Sequence, residues 1–168
     1  FAYESALNID PTNKIEDGGI SLQIDVEYET FAFTSITAIR NNKSNYLSDV
    51  DYTSLDILTE EGHTDIDTFP QEFLLTSTGD NTFDWMVGGF YFDETVDTGD
   101  NLYYGAGTRS FFDVLGFAAL FPGVEAIYGL APNTFFAADQ YINSEFLQDN
   151  ESYSLFVSLD YDLTDALT

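Results

Sequence analysis

SLFVSLDYDLTDALT, residues 154–168, places Leu155, Val157, Leu159, Tyr161 and Leu163 on every second position, with Phe156, Ser158, Asp160 and Asp162 between them. An alternation of this kind marks a β-strand with one apolar face and one mostly polar face. Four more segments carry the same signature. Residues 19–28, GISLQIDVEY, align Ile20, Leu22, Ile24, Val26 and Tyr28 on one side. Residues 31–40, FAFTSITAIR, follow after only Glu29 and Thr30, a spacing that predicts a tight hairpin with Tyr28 opposite Phe31. A slip of one residue would turn the second strand over, so this register is provisional at the level of sequence. Residues 67–77 and 83–94 form a second pair joined by TGDNT, whose Gly79, Asp80 and Asn81 supply turn chemistry. Residues 151–163 make the fifth strand.

Composition narrows what such a protein does. The 168 residues are 44% hydrophobic and 17% aromatic, enough for an ordered domain rather than an acidic tail. Thirty acids against Lys14, Arg40, Lys43 and Arg109 leave a net charge of −26, which excludes nucleic acid as a partner because phosphate contacts need cations. With no cysteine there is no disulfide and no thiolate metal site. No apolar run reaches the length of a membrane helix, and no leader peptide is visible, so the chain reads as a piece of a longer protein.

The connections alternate: tight, long (41–66), tight, very long (95–150). The charges at Asp25, Glu27, Glu72, Asp84, Asp160 and Asp162 all fall opposite the apolar parity. Two architectures satisfy both facts. A soluble acidic β-sandwich turns the apolar faces inward, while a membrane barrel turns them to lipid, with short turns at one end and long loops at the other. Periodicity leaves the choice open.

Four stretches, FTSITAIR (33–40), FPQEFLLTS (69–77), FDWMVGGFYFDE (83–94) and YSLFVSLDYDLTDALT (153–168), resemble in order and spacing the TonB-dependent receptors of the Gram-negative outer membrane. They cover about half the chain. Pro70 and Leu74 depart from the family pattern, Pro70 predicting a bulge or a lost ladder bond. The resemblance implies an all-β, antiparallel up-and-down meander that forms part of a large, about 22-stranded transmembrane β-barrel with long extracellular loops. It further implies outer-membrane lipid as surroundings, a plug domain absent from this chain as the link to the energy-coupling complex, and uptake of a small or medium-sized scarce nutrient such as a ferric siderophore. The barrel segment is expected to break no bond and to need no cofactor. The alternative function is a soluble secreted β-sandwich that binds calcium or carbohydrate. A β-rich hydrolase is the third, though no nucleophile is apparent.

Individual residues extend these expectations. Tyr28, Phe31, Trp85, Tyr91, Tyr153 and Tyr161 stand near strand ends, where an aromatic girdle meets the membrane interfaces. Structureless loops longer than about 15 residues are usually functional or disordered. The loop 95–150 therefore supplies the ligand-contact candidates Tyr103, Tyr104, Arg109, Phe111, Phe112 and Tyr128, with Arg109 its cation for an anionic group. Within it, SFFDVLGFAALFPGVEAIYGL (110–130) suits one or two short helices. Asp49, Asp51 and Glu60 have the spacing of calcium-loop positions 1, 3 and 12, and His63 lies among acids, so these four are the metal candidates. Thr53 and Ser54 replace the third ligand and the turn glycine of a true calcium loop.

Overall fold

The computed structural model describes residues 6–163. Five antiparallel strands form one sheet in chain order: β1 (Thr12–Glu27), β2 (Phe31–Asp49), β3 (Leu58–Ser77), β4 (Phe83–Tyr104) and β5 (Tyr141–Tyr161). The meander predicted from alternation is therefore present. Between β4 and β5 lie α1 (Thr108–Phe112), a π-helical turn at Asp113–Phe117 and α2 (Leu120–Ile127). The end of the resemblance segment, residues 164–168, lies outside the described residues.

The provisional register of β2 is now defined. The Tyr28 amide donates to the Phe31 carbonyl at 2.8 Å, and the two rings stack at 4.6 Å. Further along the pair, a Cβ on Gly19 would touch Arg40, as this register requires. The glycine-free Glu29–Thr30 link thus makes the hairpin without a residue of favoured turn type.

The strand boundaries correct the sequence reading. Each strand runs 7–10 residues past its expected limit at the end away from the tight turns. The long connections 41–66 and 95–150 shrink to residues 50–57 and 105–140. The extensions hold scattered apolar residues but no sustained apolar row on either face, so they carry no alternation to read. Cross-strand pairs hold them instead: Asn41 to Asp67 at 2.7 Å, Lys43 to Asp65 at 2.9 Å, Tyr103 to Glu61 at 2.6 Å and Asn143 to Asn101 at 2.9 Å. Pro70 has no amide hydrogen for the ladder, yet β3 continues through it.

By contacts the chain divides into two compact units, to which every strand contributes. One comprises residues 16–43, 65–96 and from 147 onward. Its apolar side chains gather on one sheet face in five rows: Ile20 to Tyr28, Phe31 to Ile39, Phe69 to Leu75, Phe83 to Tyr91 and Tyr153 to Tyr161. Few are covered; Ile20 is 73% exposed and Leu155 88%. The opposite face carries Asp25, Glu27, Glu72, Asp84 and Asp160, with an aromatic patch where Phe156 lies over Gly88 and Phe90 stacks on Phe92.

The other unit holds residues up to 15, 44–64 and 97–146. Here the segment 105–108 docks on 50–57. Gly105 donates to the Ile57 carbonyl at 2.8 Å and Gly107 to the Asp56 carbonyl at 2.7 Å. Ala106 donates to the Asp56 carboxylate at 2.8 Å, and the fully buried Thr108 hydroxyl also reaches the Ile57 carbonyl. A Cβ on Gly105 would lie 2.3 Å from the Asp56 carbonyl oxygen, an atom that cannot swing aside. Gly105→Ala should therefore lift 50–57 from its seat at a cost of about 1–3 kcal/mol. Accelerated hydrogen exchange at the Gly107 amide, with β1–β2 exchange unchanged, is the expected signature.

Candidate functional site

Two regions have the properties of a site: the helical connection 105–140, and the uncovered apolar face.

The connection folds around Phe112, Phe117, Phe121, Phe135 and Phe136. Phe112 stacks on Phe136 at 4.5 Å and meets Phe117 and Phe121 edge-on. Two left-handed residues shape this packing. Gly116, at φ +104°, bends the helical segment, where a side chain would be strained. Phe136 adopts φ +59° despite its bulk, a conformation of order 1–3 kcal/mol that its aromatic contacts hold in place.

Arg109 lies inside this fold. Its guanidinium donates to Glu125 Oε1 at 2.9 Å, to Asp113 Oδ1 at 3.3 Å and to the Phe135 carbonyl at 3.4 Å, and it sits over the Phe121 ring. Glu125 is 2% exposed and also accepts from the Asn133 and Phe135 amides, each at 3.1 Å. Burial alone would raise the Glu125 pKa, but the Phe135 amide, Arg109 and the Asn133 amide outweigh it and hold the carboxyl below its usual range. The same pair raises the Arg109 pKa further, chiefly through the hydrogen bond to Glu125.

This corrects the reading of Arg109 as a cation awaiting an anionic ligand. Its charge is spent within the connection. Among the other candidates, Phe112 belongs to the aromatic cluster and Tyr104 packs edge-on against Phe136 at 5.0 Å. Tyr103 donates to Glu61 and lies 5.3 Å from the Tyr141 ring. Phe111 and Tyr128 remain on the surface, Tyr128 at 75% exposure. Phe111 borders an apolar hollow of about 360 Å³ with Leu55, Ile57, Gly107, Ser110 and Val114.

The metal candidates do not converge. Asp49 is buried and accepts from the amides of Asn8, Asp51 and Tyr52. Asp51 accepts from the Thr53 amide and hydroxyl and the Leu58 amide. Burial opposes its ionisation, yet these bonds, the Thr53 hydroxyl first, leave its pKa lowered. Their calcium-like spacing therefore serves turn formation. By strand parity Glu60 takes the face opposite His63, whose Nε2 is 3.8 Å from Asp97. No group of three or more His, Asp or Glu suited to a metal occurs among the described residues.

The six interface candidates do share one feature. Tyr28, Phe31, Trp85, Tyr91, Tyr153 and Tyr161 all take the apolar face. Tyr28, Phe31, Phe83, Trp85 and Tyr161 stand at its turn-proximal edge. Phe69, Tyr91 and Tyr153 stand at the other, Phe69 and Tyr91 in an edge-on pair at 6.3 Å. One step beyond come Asp67, Asp93 and Glu151. Three polar side chains within the band bond one another. Thr37 donates to Gln71 Oε1, and Gln71 Nε2 donates to the Ser35 hydroxyl and to the carbonyls of Ile36 and Glu72. Alternation located the apolar rows, but no sequence signal paired these three or placed Glu125 beside Arg109. No single helix among the described residues is long and apolar enough to cross a membrane, which says nothing of a β-barrel.

No known family model matches the chain, and no curated protein matches it.

Proposed function

We propose that this chain forms part of the wall of a large outer-membrane β-barrel of the TonB-dependent receptor type, in a protein that takes up a scarce nutrient under energy coupling. The observation that carries this reading is the apolar face: five uncovered rows, bounded by aromatic residues at both edges and by carboxylates immediately beyond one of them. From Tyr153 to Tyr161 the band measures about 26 Å along the strand at roughly 3.3 Å per residue. A tilt of roughly 35–45° reduces this to about 20 Å along the membrane normal, close to the ~25 Å apolar band of such barrels.

Three further facts support lipid over water. Exposed apolar patches on soluble monomers rarely exceed a few hundred Å², and this one spans five strands. Ser35, Thr37 and Gln71 spend their hydrogen bonds among themselves and the backbone, as hydrocarbon demands. The soluble sandwich needs a second sheet over this face, and all five strands among the described residues lie in one. The receptor activity and its energy coupling rest on the sequence resemblance. The ligand class, exemplified by ferric siderophores, rests there too.

The 168 residues hold no cysteine, which permits a direct test. Single cysteines at Leu155, Val157 and Leu159, and at Phe156, Ser158 and Asp160, are treated with a water-soluble maleimide in outer-membrane vesicles. The even positions should label readily and the odd ones slowly. Equal labelling, or the reverse parity, would overturn the membrane assignment. For the transport half, import but not surface binding of the nutrient should cease when the proton-motive force is collapsed.

A further inference from the structure

We propose that a hollow between β2, β3 and β4 around His63 binds a neutral sugar. The hollow measures about 280 Å³, near the lower bound of roughly 300 Å³ for small-molecule sites, and it is lined by Asn45, Glu61, His63 and Asn101. Strand parity puts these four on one face: Asn45 beside His63 across β2 and β3, and Glu61 beside Asn101 across β3 and β4. Gly99 makes the space: a Cβ there would stand 2.9 Å from His63 Cε1.

The hydrogen-bonding capacity left at the rim defines the ligand. Among the described residues the Asn45 amide has no side-chain partner. Asn101 accepts from Asn143 through Oδ1, leaving Nδ2 with two donors. Glu61 accepts from Tyr103 through Oε1, leaving Oε2 as an acceptor. Donors and acceptors are therefore interleaved, the pattern that hydroxyl groups satisfy because each both gives and takes a hydrogen bond. Glu61 and Asp97 supply negative charge, and neither Lys nor Arg lines the hollow, so phosphorylated or carboxylated ligands are repelled.

This site is independent of the membrane assignment, so the two can fail separately. The full chain in detergent micelles is mixed with the methyl glycosides of glucose, galactose and mannose, and saturation transfer to the sugar protons is recorded by NMR. Transfer to at least one glycoside is expected, with glucose 6-phosphate giving none. Gly99→Val should abolish it by filling the hollow. Asn45→Ala, a change at a side chain with no partner to lose, should weaken binding about tenfold while leaving the urea midpoint in place. The proposal is overturned if no glycoside receives transfer, if Gly99→Val or Asn45→Ala binds as the parent does, or if glucose 6-phosphate binds as well as methyl glucoside. Sugar binding that appears only when calcium is added overturns it as well.

Discussion

Val157→Arg should lower the unfolding free energy in a phospholipid bilayer by about 2–4 kcal/mol, the cost of a basic residue at the bilayer midplane of a barrel wall. Ser158→Arg, one residue further on, should change it by under about 0.5 kcal/mol, as a surface substitution does. Val157 is the middle of the row from Tyr153 to Tyr161, four residues from the aromatic at either end and 63% exposed on the apolar face. Nothing on that face within reach compensates a guanidinium; the nearest carboxylates of the sheet stand on the other side or beyond the aromatic edge. A urea titration in vesicles, followed by the fluorescence of Trp85, the single tryptophan, reads both variants. The contrast between neighbours is the informative quantity, because a soluble sheet with both faces in water would give two small and similar values.

The second large effect concerns the helical connection. Arg109→Met removes the cation from Glu125 and leaves a buried carboxylate with only the Asn133 and Phe135 amides as donors. Taking one partner from a buried pair is far more damaging than never having had the pair. The connection should open, and hydrogen exchange at the Asn133 and Phe135 amides should accelerate by at least about tenfold, tracking the open population. Glu125→Gln should do less harm, because it retains an oxygen acceptor for those amides and removes the charge.

Acid should produce the same opening in the parent protein. The Glu125 pKa lies below its ordinary value of 4.5 when the connection is folded. The stability it contributes is complete above that ordinary value and is lost as pH falls through the lower, folded one. Protection at the Asn133 and Phe135 amides, the exchange rate relative to its intrinsic value at each pH, should therefore hold steady down to about pH 4.5 and fall below it. In Arg109→Met the depression is relieved, so the loss of protection on acidification should shrink. An unchanged profile in that variant would show that the ion pair does not hold the connection closed.

How far the sequence disclosed all this depends on where one face of the chain differs from the other. Residues 19–28, 31–40, 67–77, 83–94 and 151–163 alternate because one face of each is largely apolar, and those stretches are legible as strands. Residues 12–18, 41–49, 58–66, 95–104 and 141–150 are also strand, but with no sustained apolar row on either face they show no period. Their pairing comes from ladder bonds and pairs such as Tyr103 with Glu61, which depend on register. Arg109 was conspicuous as the cation of an acidic loop, yet its partner stands sixteen positions away and meets it only after the π-helical turn and Gly116 reverse the chain. Asp49 and Asp51 had the spacing of calcium ligands because Asx-type turns use the same short intervals. Those carboxylates are filled by amides two to seven residues away, and at Asp49 by that of Asn8 as well, a competition that spacing does not display.

Gln71, Ser35 and Thr37 have a consequence for how such a sequence can change over generations. Losing Gln71 alone leaves two hydroxyls without partners on an otherwise oily surface, and losing Thr37 or Ser35 alone leaves part of an amide bare. Replacing all three with aliphatic residues leaves nothing unpaired. Every intermediate step between the two states is worse than either end, so the three positions form a single heritable unit split between neighbouring strands. Among descendants of this chain they should be kept together or exchanged together, even though Gln71 stands more than thirty positions from its partners.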